Sequence, residues 1–351
     1  MLTKISKQKR NKPTLLNRLQ KDIVIVAEGY VFELEKRGYI KAGPYVPEVV
    51  LDFPNAVKEL HREFLRAGSD VIEALTYYAN ENKLADIGRA KDFEKLNRKA
   101  VQIANEVANE GSALVAGNIC NTWLYDPNNK KESSKIVKKM YKEQLQWAVE
   151  EGIDFVISET NDYVGKTLIG LEVIKEFGLP AVVNFATVNK NNKTYDGYDY
   201  VEACKILEAN GADVVGLNCT RGPATILPMV EKIRKNVNCY VAAIPVPYKT
   251  TRKQPTFMSI HKNGRRLKYL ELDDLICNRF EIADFAKKAK EIGVNMIGVC
   301  CGANASHIRS IAEELGRTVP ASKYSPAFDL HPMIGKKVST KHKNLKSDWR
   351  D

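Results

Sequence analysis

Three cysteines stand where sulfur could do chemistry. Cys219 closes the run Val214-Val215-Gly216-Leu217-Asn218, and Cys300 and Cys301 follow Gly298-Val299, with Gly302 after them. In both places an apolar run of strand character ends in a thiol. If the two strands belong to one parallel barrel, their carboxyl ends open on one rim and the three thiols converge there. Three thiolates with a free fourth position make a catalytic zinc site. Successive side chains of an extended strand point apart, so Cys300 and Cys301 reach one ion only where the backbone turns, which Gly302 permits.

Such a site carries a net charge of about −1 before substrate binds. It is poorly suited to activating water, and well suited to holding a thiol as a nucleophilic thiolate for alkyl transfer onto sulfur. A cationic alkyl donor is drawn toward it. The same rim would carry the other strand-end residues Glu28, Tyr77, Tyr78, Asn118, Glu159 and Asn218. Tyr77 and Tyr78 offer π faces to a quaternary ammonium or sulfonium, although tyrosines there also serve as core packing. Glu159 can pair with an amino group or with a nearby lysine. His307, on the helix after the cysteine pair, is expected to cap or pack. Cys204, Cys239 and Cys277 are expected to be ordinary buried residues.

The elements that must position these groups alternate. Strands are expected at 23–27, 70–75, 113–117, 154–158, 180–185, 214–219, 240–244 and 294–299. Helices are expected at 56–65, 92–109, 133–150, 164–177, 200–209, 223–234, 280–291 and 305–315, from apolar spacing and flanking glycines. This predicts a (β/α)8 TIM barrel over residues 21–318, with a basic amino-terminal arm at 1–20 and a surface tail at 319–351. A doubly wound sheet is the rival, but no Gly-x-Gly-x-x-Gly follows the first strand. Residues 246–278 form a long connection of the kind that is usually functional.

The 351 residues carry 54 basic and 43 acidic side chains, a net charge of +11, but the lysines are dispersed among Asn and Glu. Only Lys4 to Arg18 and Lys336 to Arg350 are basic with little acid, and neither is interleaved with aromatics, which argues against a nucleic-acid partner. An odd count of 7 cysteines argues against a disulfide framework. No signal-like apolar segment and no membrane span is visible, so a cytoplasmic protein is expected.

Gly216-Leu217-Asn218-Cys219 together with Gly298-Val299-Cys300-Cys301-Gly302 resembles the zinc signature of the homocysteine S-methyltransferases, and within them the betaine-homocysteine branch. Phe32-Glu33-Leu34-Glu35-Lys36-Arg37-Gly38-Tyr39, Lys41-Ala42-Gly43-Pro44, the segment Leu60 to Ser69 and the segment His307 to Leu315 share that resemblance, which runs from about residue 20 to 320. It implies Zn2+ held by Cys219, Cys300 and Cys301, Glu159 on the amino group of homocysteine, and Tyr45, Tyr77 and Tyr78 around the donor's methylated cation.

Four departures touch the substrate pocket. Ala27-Glu28-Gly29 replaces the family's Asp-Gly-Gly, with Glu28 one residue beyond the missing aspartate; Tyr45 replaces a tryptophan; Tyr77 replaces a phenylalanine; and Thr160 replaces a tyrosine. The implied donor is therefore betaine or a sulfonium such as dimethylsulfoniopropionate or S-methylmethionine. The branch's long carboxyl-terminal extension, through which it builds its oligomer, has no counterpart here, so assembly into a homo-oligomer is left open. The rival readings are a homocysteine-activating module that takes methyl from a corrinoid protein, and a non-catalytic zinc or thiol sensor.

Overall fold

Alternation of inward and outward side chains, with a period of two, organises the centre of the protein. The computed structural model describes residues 12–189, 191–332 and 335–336. Its strands are β1 (Val24–Ala27), β2 (Val71–Glu73), β3 (Leu114–Ile119), β4 (Phe155–Asn161), β5 (Ala181–Phe185), β6 (Val214–Asn218), β7 (Tyr240–Ile244), β8 (His261–Lys262), β9 (Arg265–Arg266) and β10 (Met296–Val299). β1 to β7 and β10 close a parallel barrel, and β10 pairs with β1 from Val24↔Met296 to Ala27↔Val299. The (β/α)8 architecture is the one expected.

Two apolar sets hold it together. Val24, Val26, Val71, Leu114, Phe155, Ile157, Val182, Val214 and Met296 fill the barrel's interior. The residues between them, among them Ile25, Ile72, Val115, Val156, Val183, Val215 and Ile297, pack outward against the helices. Being buried on both faces is why these strands read as continuous apolar runs. Leu15 and Leu19, on the short helix Leu15–Leu19, join the interior set and close the amino-terminal end. Thr14 caps that helix by accepting from the Asn17 N–H at 3.3 Å.

The helices of the alternation fall close to their expected places. Tyr200–Ala209 and Pro223–Arg234 match to the residue, and Pro54–Ala67 ends on Gly68 at φ +107. Three further helices, Tyr30–Lys36, Val49–Asp52 and Glu81–Ala85, were not anticipated. They lie in the connections after β1 and β2 and are short, so periodicity gives them little signal. The long connection after β7 is structured: it holds the β8–β9 hairpin, turned at Asn263 and Gly264 with positive φ, and a bridge between Tyr248 and Ile276.

Beyond the last barrel helix the chain lies on the surface, where the Ala321 N–H donates to the Arg66 carbonyl at 3.1 Å and Arg309 reaches the Ala321 carbonyl. Most of the two basic ends falls outside the described residues. Among the described residues no helix is long and apolar enough to cross a membrane.

Candidate active site at the carboxyl end of the barrel

Cys219 follows β6 in the left-handed region, at φ +54, and its N–H donates to the Ile244 carbonyl at 2.9 Å. Cys300 follows β10, held by its N–H to the Pro245 carbonyl at 2.8 Å. The chain then turns through Gly302 at φ +91, where a Cβ would lie 2.5 Å from the Tyr248 hydroxyl. The turn aims both thiols of the pair inward: Cys300 Sγ and Cys301 Sγ are 3.8 Å apart, and with Cys219 all three sulfurs lie within 4.8 Å of one another. Tetrahedral zinc with bonds of about 2.3 Å requires sulfurs about 3.8 Å apart, so the set fits that ion. Hydrogen bonds from Cys300 and Cys301 hold the Cys219 thiol well below its ordinary range, while sharing with Cys219 and burial push the other two up.

Beside the thiols runs a chain of buried carboxylates and amides. Asn218 Nδ2 donates to Glu28 Oε2 at 3.0 Å and to Glu159 Oε2 at 2.9 Å. Asn118 Nδ2 donates to Glu159 Oε1 at 2.5 Å and to Glu73 Oε1 at 2.7 Å. Glu28, Glu73 and Glu159 are 6%, 2% and 5% exposed. Burial, then the other carboxylates, lifts Glu159 well above the carboxylate range, and burial followed by Glu28 does the same to Glu73. Burial pushes Glu28 up to about 7 against the lowering hydrogen bond from Asn218.

Glu73 was not singled out in the sequence, although a signal was there. Counting by twos from the inward Val71 places Glu73 on the interior face, just as Leu114 and Ala116 predict Asn118 and Phe155 and Ile157 predict Glu159.

These groups wall a cavity of about 270 Å³. Tyr45, Tyr77 and Tyr78 all line it, and the Tyr77 and Tyr78 rings lie 4.2 Å apart. The cavity also takes Phe32, Trp123, Tyr195, Phe257 and Met258, which sequence reasoning missed. Phe257 and Met258 come from the long connection after β7. That segment is anchored by Tyr269, whose ring lies tilted at 4.4 Å from Phe32 and edge-on at 5.3 Å from Tyr45. Tyr45, Tyr78, Trp123, Thr160, Cys219 and Thr220 have positive φ without being glycine, a concentration of backbone strain at one rim. Among the described residues no lysine or arginine lines the cavity. The nearby buried Lys166 is paired with Asp162.

The model of the homocysteine S-methyltransferase domain matches residues 24–315. The chain belongs to the homocysteine S-methyltransferase family. It is 36% identical over 315 residues to betaine-homocysteine S-methyltransferase 1 of Xenopus tropicalis, covering 87% of this chain and 76% of that one. It is 34% identical over 332 residues to an S-methylmethionine-homocysteine S-methyltransferase of Pongo abelii, covering 90% and 87%. In fold it resembles the homocysteine methyltransferase MmuM of Escherichia coli, with a TM-score of 0.65 at 17% identity over 85% of this chain and 97% of that one.

The other sulfurs of this homocysteine S-methyltransferase domain lie elsewhere. Cys204 and Cys277 are buried as expected, whereas Cys239 is only half-buried, because it sits at the exposed approach to β7. Cys120, unassigned in the sequence, is buried behind the aromatic wall and accepts the Tyr78 N–H at 3.2 Å. His307 caps its own helix from the Asn304 box and contacts the Cys277 carbonyl at 3.0 Å, away from the sulfur cluster.

Proposed function

We propose that the protein transfers a methyl group from a small onium donor to homocysteine, forming methionine, with zinc held by Cys219, Cys300 and Cys301. The observation that carries this reading is the convergence of three thiols, within 4.8 Å, on a cavity walled by aromatic rings and buried carboxylates. Bound zinc would lower the pKa of the substrate thiol and keep its sulfur nucleophilic.

The chain's own residues supply the rest. Glu159, with Glu28 beside it, accepts hydrogen bonds from the substrate's α-ammonium and so fixes the amino acid relative to the sulfur cluster. Tyr77, Tyr78 and Tyr45 present π faces to the donor's cation. The substrate sulfur attacks the donor's methyl carbon in line. The new S–CH3 bond forms as the methyl–onium bond breaks, and its electron pair returns to the donor's nitrogen or sulfur. The thiol proton leaves to solvent. Positioning of this kind supplies up to about 7–11 kcal/mol of a two-substrate barrier.

Betaine, dimethylsulfoniopropionate and S-methylmethionine are the candidate donors; the names of the relatives from Xenopus and Pongo support the first and third. Supplying each with homocysteine to the zinc-loaded protein and measuring methionine tests the reading. Turnover with at least one is expected, and turnover with none overturns it. Cys300→Ala is expected to lose bound metal and turnover together, and full activity in that variant would remove the thiols from the mechanism.

A further inference from the structure

The chain of carboxylates and amides contains one acid that the ligand set does not call for. Glu73 sits on β2, two residues above the apolar Val71. It is 2% exposed, lines the cavity, has no lysine or arginine partner among the described residues, and accepts a hydrogen bond from the Asn118 amide. A buried carboxylate without a cation is unfavourable unless something brings positive charge to it.

Hydrogen-bond direction identifies what is missing. An amide that faces two carboxylates must turn its –NH2 toward them, and both Asn118 and Asn218 do so. Their donors are thereby used up. Among the described residues, Glu28 Oε1 and Asn118 Oδ1 beside the carboxylates are left buried without a partner, and both are acceptors; the other unpartnered side-chain atoms on the cavity are the Tyr30, Tyr45 and Thr160 hydroxyls, which can accept as well as donate. The vacancy is one for hydrogen-bond donors, and an ammonium group carries three of them with the compensating charge.

We propose that Glu73 and Asn118, together with Glu28 and Glu159, form a cage for the α-ammonium of the amino-acid thiol, so that the site selects acceptors bearing an amino group. Glu73 supplies charge and Asn118 joins it to Glu159 and offers Oδ1 to the ligand. This assignment rests on the methyltransferase reading above, because it takes homocysteine as the occupant.

Calorimetric titration of the zinc-loaded protein, without donor, separates the two. The ligands are L-homocysteine and 4-mercaptobutyrate, the same thiol lacking the amino group. Glu73→Gln is expected to weaken homocysteine roughly 10- to 100-fold, the size of a lost charge-assisted hydrogen bond, while leaving 4-mercaptobutyrate within about twofold. Asn118→Ser is expected to show the same selectivity with a smaller loss. Equal weakening of both thiols in both variants would make Glu73 and Asn118 merely structural, and unchanged homocysteine binding would place them away from the ligand; either result overturns the cage and leaves the homocysteine reading standing. Failure of the unaltered protein to bind homocysteine overturns that reading and the cage with it.

Discussion

The side-chain oxygen of Asn218 accepts the backbone N–H of Thr160 at 3.0 Å. One short polar side chain on β6 therefore holds β4 where it departs from regular geometry: Thr160 is at φ +52, and the β4–β5 register shifts between Ser158 and Asn161. The same amide donates to Glu28 and Glu159. Placement of the cavity-lining Glu159 carboxylate and strain in its strand are thus coupled through one residue.

Asn218→Ala removes all three contacts without touching a sulfur. Hydrogen bonds to charged groups contribute about 1.5–3 kcal/mol each, so steady-state kinetics should show kcat/KM for homocysteine falling at least ~100-fold. Metal content should stay near that of the unaltered protein. Loss of metal in proportion to activity would show instead that Asn218 supports Cys219.

Gly302→Ala tests the turn that aims the cysteine pair. The new methyl group would have to sit 2.5 Å from the Tyr248 hydroxyl at a φ of +91. Left-handed strain and overpacking together cost roughly 2–4 kcal/mol. A lower melting temperature and less metal retained after dialysis against a weak chelator are expected, and unchanged retention would show that the pair is aimed by other contacts.

Tyr77→Leu keeps an apolar wall and removes the π face. A cation over an aromatic ring contributes about 1–2 kcal/mol when desolvated, so KM for the onium donor should rise roughly 5- to 30-fold. KM for homocysteine, which the proposal places on the acidic side of the cavity, should hardly move. A shift in the homocysteine value alone would reverse the assignment of the two halves.

His61 predicts acid sensitivity. It is buried, neither ring nitrogen has a partner among the described residues, and its ring meets Tyr30 edge-on at 4.9 Å. Burial holds its imidazole down at about 3. Because the unfolded chain takes up a proton near pH 6.5 that the folded one refuses, stability is complete above about 6.5 and declines as pH falls toward about 3. At pH 5 the decline from this group is about 2 kcal/mol. Denaturant unfolding of His61→Leu at pH 7 and pH 5 should show a smaller acid penalty than the unaltered protein, and equal penalties would disprove the assignment.

Much of this was legible in the chain. Alternating apolar runs and flanking glycines marked every barrel strand. Cys219, Cys300, Glu28, Glu159 and Asn218 could be placed on one rim because a parallel barrel brings all its strand ends to one side. Glu73 was equally encoded, by its distance of two residues from Val71, but one acid inside an apolar strand attracts less notice than a residue beyond its end.

The sequence by itself determined the barrel and the sulfur cluster, because strand alternation and strand-end position depend on neighbours one or two residues away. Only the tertiary structure decided the aromatic side of the cavity. Phe257, Tyr269, Phe32 and Tyr45 meet there through ring contacts between 4.4 and 6.1 Å. The segment after β7 has neither helical nor strand periodicity to show where it lies, and its fold over the rim is set by packing against residues more than 200 positions earlier. Contacts of that kind depend on the shape of the assembled surface, and no local spacing records them.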